Sequence, residues 1–327
     1  MPPGYLWANC KTGKMEVRLI EAASEIGAGT RGTSMGMSAL RVAAWKKGSE
    51  LFGHAEESIL RDENDVLYED DTESPNAHHI DGLIRFESDL AYEVYKFLRN
   101  NVFPIVVGGD HSIAIGSVSG TKMAFANERI GVVWIDAHAD LHSPWTTPSG
   151  NVHGMPLSLL MNIEMKGHNH PQMFTLDVWD RLRMVGSNGP KVLPQDLVFI
   201  GLRDYEEEER AIIEKHNIKV ITVKELREKG AKAIVGETLA HLSTCGKVHV
   251  SFDVDSLDPS ISVGTGTPVP DGLFLDEARE LLAGLCSDPK TVTLDVVEIN
   301  PALDTKNAMA ENVLTVLEPL FPILRAR

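Results

Sequence analysis

The run "VVWIDAHADLH" at residues 132–142 ends an apolar stretch with Asp136, His138 and Asp140 at every second position. Side chains alternate sides along an extended chain, so this spacing aims an acid, an imidazole and a second acid at one place. Three other segments share the character. "FPIVVGG" is followed by Asp110 and His111, "VSFDVDSLDP" holds Asp253 and Asp255 two residues apart, and "TVTLDVVEINP" runs into Glu298. Taken singly, an acid at a strand end caps the next helix, and "GGDHS" is a glycine-rich turn. Taken together, two histidines and at least four carboxylates reach one edge. Without a cation those like charges repel and lose hydration at heavy cost. The chemistry these residue types share is metal ligation.

Four carboxylates balance two divalent ions. One ion cannot use six ligands and keep a position open for chemistry. Two ions about 3.5–4 Å apart can, with carboxylates bridging them. An oxygen-rich set with two imidazoles and no thiolate suits Mn2+ by hardness, with Co2+ or Fe2+ as alternatives, although the affinity order favours Zn2+.

These residues need strands behind them. Strands are predicted over 15–22, 103–109, 130–137, 196–202, 218–223, 247–255 and 291–299, with a weaker one, "NDVLYED", over 64–70. Several are apolar on both faces, as in a covered parallel sheet. Helical patterns over 83–99, 231–242, 274–284 and 307–318 lie between them, and "EEEE" at 206–209 opens another helix, where negative charge suits the dipole. Strand–helix alternation without a linker or repeat predicts a single-domain doubly wound α/β fold with a parallel sheet. Ligands of such sheets sit beyond the carboxyl ends of the strands.

The 327 residues are 43% hydrophobic with a formal net charge of −16. No basic block is present, so no nucleic-acid partner is expected, since that binding rests on Lys and Arg against phosphate. No run of about 18 apolar residues predicts a membrane helix. "MPPGYLWANCKTGKMEV" has no apolar core of a signal peptide, and residues 1–14 read as a loose extension. Cys10, Cys245 and Cys286 form no C-x-x-C pair, so no disulfide framework is expected and a reducing cytoplasm fits.

The motifs "GGDHS", "DAHAD", "SGNVHGMP", "SFDVDSLDP", "GTGTPVPDG" and "EINP" resemble, in order and context, those of the arginases among the ureohydrolases. The resemblance runs from about residue 15 to the C-terminus. It implies a catalytic domain over 15–327, a sheet of about eight parallel strands, two Mn2+ ions, and hydrolysis of L-arginine to L-ornithine and urea by a metal-bridging hydroxide. His111, Asp136, Asp140 and Asp253 match the ligands of one ion, and Asp136, His138, Asp253 and Asp255 those of the other. Asp140 is then also catalytic, holding the hydroxide and helping to protonate the leaving amine. His153 matches the proton-shuttling histidine, and Glu298 the glutamate that pairs with the guanidinium. Ser149 and Asn151 match readers of the α-carboxylate, Asp204 and Glu206 acids that meet the α-amino group, and Thr267 a residue lining the cleft. A homotrimer or homohexamer is implied.

Three places depart from the commonest pattern. His142 stands where most arginases have an asparagine that helps hold the substrate carboxylate. Glu206 is a methylene longer than the usual aspartate. The stretch 161–195, with "KGHNHPQM", is long for the family and reads as a solvated loop carrying His168 and His170. Agmatinase, guanidinobutyrase and formiminoglutamase share the metal motifs, but "SGNVHGMP" favours arginine, because agmatine has no carboxylate to read. A dinuclear phosphoesterase is the rival from another class; its G-D-x-x-D and G-N-H-[DE] runs do not follow here.

Overall fold

The computed structural model describes residues 15–163 and 166–327. The extension expected over 1–14, with Cys10, lies outside the described residues.

Short runs, most of them rich in valine and isoleucine, become the strands β1 (Glu16–Glu21), β2 (Glu56–Ile59), β3 (Val102–Val107), β4 (Ile130–Ile135), β5 (Leu197–Ile200), β6 (Lys219–Ile221), β7 (Lys247–Asp253) and β8 (Thr291–Val297). All pairings are parallel, in the order β2-β1-β3-β8-β7-β4-β5-β6. After β1 come α1 (Gly36–Lys47) and α2 (Leu51–His54), and α3 (Ile80–Arg99) leads into β3. Helix α4 (Ala114–Ala124) joins β3 to β4, while α5 (Pro156–Met161) and α6 (Met173–Arg183) precede β5. Then follow α7 (Glu207–His216), α8 (Val223–Lys229), α9 (Ala231–His241), α10 (Leu275–Ser287), α11 (Ala308–Leu317) and α12 (Leu320–Arg325).

Alternation along β4 shows why the sheet is covered twice. Val133 and Ile135 pack with α1, α10 and α11 residues such as Leu40, Leu282 and Leu314. Val132 and Trp134 face the other way, onto Val118, Leu157 and Ile212 of α4, α5 and α7. Trp134 is fully buried, and truncating such a side chain to alanine costs about 3–5 kcal/mol.

Most of the predicted elements are present, with three differences. Residues 64–70 form no strand; Asn64–Tyr68 is a 3-10 turn with no buried residue. The strand is instead β2, "EESI", which the pattern missed because it lies at the sheet edge and pairs with β1 alone. The stretch 161–195 is also more than a loop. It contains α6, whose Val178, Trp179 and Leu182 are buried in a cluster with Ile80, Leu83 and Leu159. The acidic run at 206–209 does open a helix, with Glu206 and Glu209 forming a reciprocal cap at the start of α7. Cys245 and Cys286 are buried and free. Among the described residues no helix is long and apolar enough to cross a membrane.

Candidate metal centre

The acids and histidines follow β3, β4, β7 and β8, and in the sheet these are four consecutive neighbours, β3-β8-β7-β4. Their carboxyl ends therefore open onto one crevice. After β3 the chain turns through Gly108 and Gly109, at φ 96° and 79°. A Cβ on Gly109 would sit 2.5 Å from the Ala22 carbonyl oxygen, so only glycine permits this close approach. The turn delivers Asp110 and His111. Asp110 accepts a hydrogen bond from Ser112 N at 2.8 Å, capping a 3-10 turn that starts at His111.

His111 Nδ1 lies 2.9 Å from Asp136 Oδ2 and 3.1 Å from both Asp140 Oδ2 and Asp253 Oδ2. His138 Nδ1 lies 3.0 Å from Asp255 Oδ2 and 3.5 Å from Asp136 Oδ1. Two interlocking groups of potential ligands result here, His111–Asp136–Asp253 and Asp136–His138–Asp255, each with atoms within 4.8 Å of one another, and a third, His142–Glu206–Glu209, shares no residue with them. Asp136 belongs to both interlocking groups. His111 Nδ1 and Asp136 Oδ2 are buried with no hydrogen-bond partner, so they converge on a shared point instead of bonding each other. The other ring nitrogen, His111 Nε2, is 2.8 Å from Ser251 Oγ. An N–H placed there leaves the Nδ1 lone pair for a cation, the usual arrangement of a ligating histidine. The ring stacks on Trp134 at 3.9 Å and 6°. The donor set thus fits divalent cations.

Electrostatics point the same way. Burial and the charges of Asp255 and Asp136 push the Asp253 carboxyl well above its usual range. Burial and Asp136 raise Asp140 to about 6. Burial disfavours a charged His111, but Asp136, Asp140 and Asp253 outweigh it and raise its pKa well above normal. Protons and cations are alternatives at this cluster.

Two residues beside it have left-handed backbones, Asp140 at φ 51° and Glu298 at φ 64°. Such conformations are uncommon outside glycine and collect at functional sites. Glu298 Oε1 accepts from His111 N at 3.0 Å and lies 2.9 Å from His153 Nδ1. Burial opposes charge on His153, yet the Glu298 hydrogen bond and charge lift its pKa to about 9. Asp110 Oδ2 accepts from Gly27 N at 2.9 Å, and Gly27 O accepts from His153 N at 3.1 Å, so Asp110 also braces His153.

The remaining expected residues surround this core unevenly. Thr267 Oγ1 donates to Asp255 Oδ2 at 3.1 Å. Asp204 is exposed, with Oδ2 3.9 Å from His138 Nε2. Ser149 is exposed and its Oγ accepts from Asn151 N, while the Asn151 amide leaves no room for a Cβ on Gly29. His142 is buried, its ring nitrogens 3.2 Å from Thr146 Oγ1 and 3.1 Å from Glu206 Oε2. His168 and His170 are exposed and join none of the described metal-binding groups.

Three residues were given no place at the site from the sequence. Arg203 donates to the carbonyls of Gly201, Asp255, Val269 and Pro270, tying three loops together. Its only signal is a cation among the acids of "GLRDYEEE". Glu209 accepts from Leu141 N and Glu206 N, and the E-x-x-E spacing of a capping box announces it. Ser251 stands two residues before Asp253 and so shares its side of the strand.

The arginase family model matches residues 15–321. The arginase of Bacillus subtilis strain 168 is 33% identical over 305 residues, covering 93% of this chain and 97% of that protein. The crystal structure of arginase from Bacillus cereus superposes with a TM-score of 0.79 at 32% identity, covering 94% of this chain and 98% of the other. That of Entamoeba histolytica arginase in complex with L-ornithine gives 0.80 at 26% identity, with 94% and 99% covered. A parallel sheet of eight strands, two interlocked His–Asp groups at its centre and relatives matched along nearly their whole length establish that this chain belongs to the arginase family.

Proposed function

We propose that the chain hydrolyses L-arginine to L-ornithine and urea with two Mn2+ ions, Co2+ being the alternative metal. His111, Asp136, Asp140 and Asp253 would hold one ion, and Asp136, His138, Asp253 and Asp255 the other. When bound, the ions supply Lewis acidity and make water nucleophilic at neutral pH. Glu298 meets the guanidinium by charge-assisted hydrogen bonds. Asp140 orients the attacking water and then carries a proton to the departing amine. His153 exchanges protons between the site and solvent. Ser149 and Asn151 receive the α-carboxylate, Asp204 and Glu206 the α-amino group, and Thr267 lines the cleft. His142 joins this end of the site through its contact with Glu206.

The observation that carries the reading is Glu298, a buried carboxylate beside the His111–Asp136 group. A guanidinium has the charge and planar fork to match it. We further assign the protein to the cytoplasm as a homotrimer or homohexamer, on the family resemblance.

Urea release from L-arginine, agmatine and 4-guanidinobutyrate, with Mn2+, Co2+ or no added metal, tests the proposal. Agmatine leaves the carboxylate readers unpaired, at about 1–3 kcal/mol for each unsatisfied group. L-Arginine is therefore expected to lead in kcat/KM by at least about tenfold. Equal turnover of agmatine and arginine would move the assignment to agmatinase.

A further inference from the structure

The long segment before β5 has no part in the proposed reaction, yet it wraps the loop that carries Ser149 and Asn151. Asn169 Nδ2 donates to the carbonyls of Thr147 at 2.8 Å and Pro144 at 3.3 Å. Asn169 N donates to Trp145 O at 3.0 Å. Gly167 runs so close beneath that a Cβ would lie 2.0 Å from the same Trp145 oxygen. One asparagine thus engages three carbonyls within residues 144–147.

The hold passes directly to the reading residues. Thr147, whose carbonyl Asn169 grips, accepts through Oγ1 from Ser149 N at 3.3 Å and Gly150 N at 2.9 Å. Gly150, at φ 78°, is fixed from the other side, where its carbonyl accepts from His78 N at 2.8 Å. The long segment supports that side too. Gln172 Nε2 donates to Thr72 O and Thr175 Oγ1 to Glu73 O. The 143–151 loop is therefore held directly by Asn169, and the 72–78 segment that meets it at Gly150 is held by Gln172 and Thr175. A free loop would lose backbone entropy on closing around a ligand; a braced one has lost it already.

We propose that Asn169 is a positioning residue that pre-forms the carboxylate-reading end of the site, and so favours substrates that carry an α-carboxylate. This rests on the arginase reading above. The test compares Asn169→Ala and Asn169→Asp with the wild type, all loaded with Mn2+. Aspartate keeps the shape of the side chain but as a carboxylate cannot donate to the Thr147 and Pro144 carbonyls. We expect both variants to raise KM for L-arginine and the inhibition constant of L-ornithine by about tenfold, the effect of roughly one lost hydrogen-bond brace. The kcat, the metal content and inhibition by agmatine, which has no carboxylate, should stay within about twofold of wild type. An unaltered arginine KM in either variant overturns the proposal. So does equal weakening toward agmatine, or loss of metal. A wild type that releases no urea from L-arginine overturns the arginase reading and this proposal with it, an outcome visible before any variant is made.

Discussion

His111 Nδ1 and Asp136 Oδ2 lie 2.9 Å apart in the protein interior, and neither has a hydrogen-bond partner. Buried polar atoms left this way cost about 1–3 kcal/mol each. A cation between the ligands relieves that cost, and Asp136, within reach of both histidines, couples the two halves of the centre.

Asp136→Asn keeps the shape and removes one charge from both groups. We expect elemental analysis after Mn2+ loading to give nearly two ions per wild-type chain and no more than one in the variant, with most activity lost. One ion per wild-type chain at full activity would refute a dinuclear centre.

Metal loading should release protons. In the protein alone, burial and the charges of Asp255 and Asp136 raise the Asp253 pKa, and against the effect of burial the neighbouring acids raise that of His111, so the cluster favours protons. Ligation needs both residues deprotonated, and apparent metal affinity therefore rises with pH. A pH indicator in weak buffer should report acidification when Mn2+ is added at pH 7. An unchanged signal would contradict the shifts.

His153→Ala should lower kcat by about 10²–10⁴-fold, the usual contribution of an acid–base group. Metal content should not change, because His153 contacts Glu298 and stands outside both ligand groups. Metal loss in this variant would make it a ligand.

Glu209, which stands beside the centre but outside the ligands assigned above, offers a stability test. Burial, followed by its hydrogen bond with Glu206, raises its pKa from 4.5 to about 9. A raised folded-state pKa means that the folded protein binds the extra proton. Its stabilising effect is complete below about pH 4.5 and is lost as pH rises through about 9. Glu209→Gln mimics the protonated form and should flatten that part of the profile in urea melts between pH 5 and 9. A variant with the wild-type slope would show that Glu209 is already ionised.

Much of the centre was legible in local spacing. Asp136, His138 and Asp140, like Asp253 and Asp255, stand two apart at strand ends, and period-two geometry sends such side chains to one side whatever the rest of the chain does. The β-branched runs behind them announced buried parallel strands for the same local reason. The edge strand β2 escaped, because an exposed edge needs no apolar face and so leaves no pattern, while residues 64–70 were read as a strand and fold instead as a 3-10 turn with no buried residue.

What local pattern could not carry was strand order. β7 and β8 come more than 100 residues after β4, yet they lie between β3 and β4. That insertion brings Asp253 within 3.1 Å of His111 and makes a centre out of separate strand ends. Position in a sheet is settled by which faces bury each other across the whole chain. For the same reason His142 carries no sign in its own neighbourhood that it meets Glu206, 64 residues away, nor Asn169 that it grips Thr147. Such contacts join residues that only the packed chain makes neighbours.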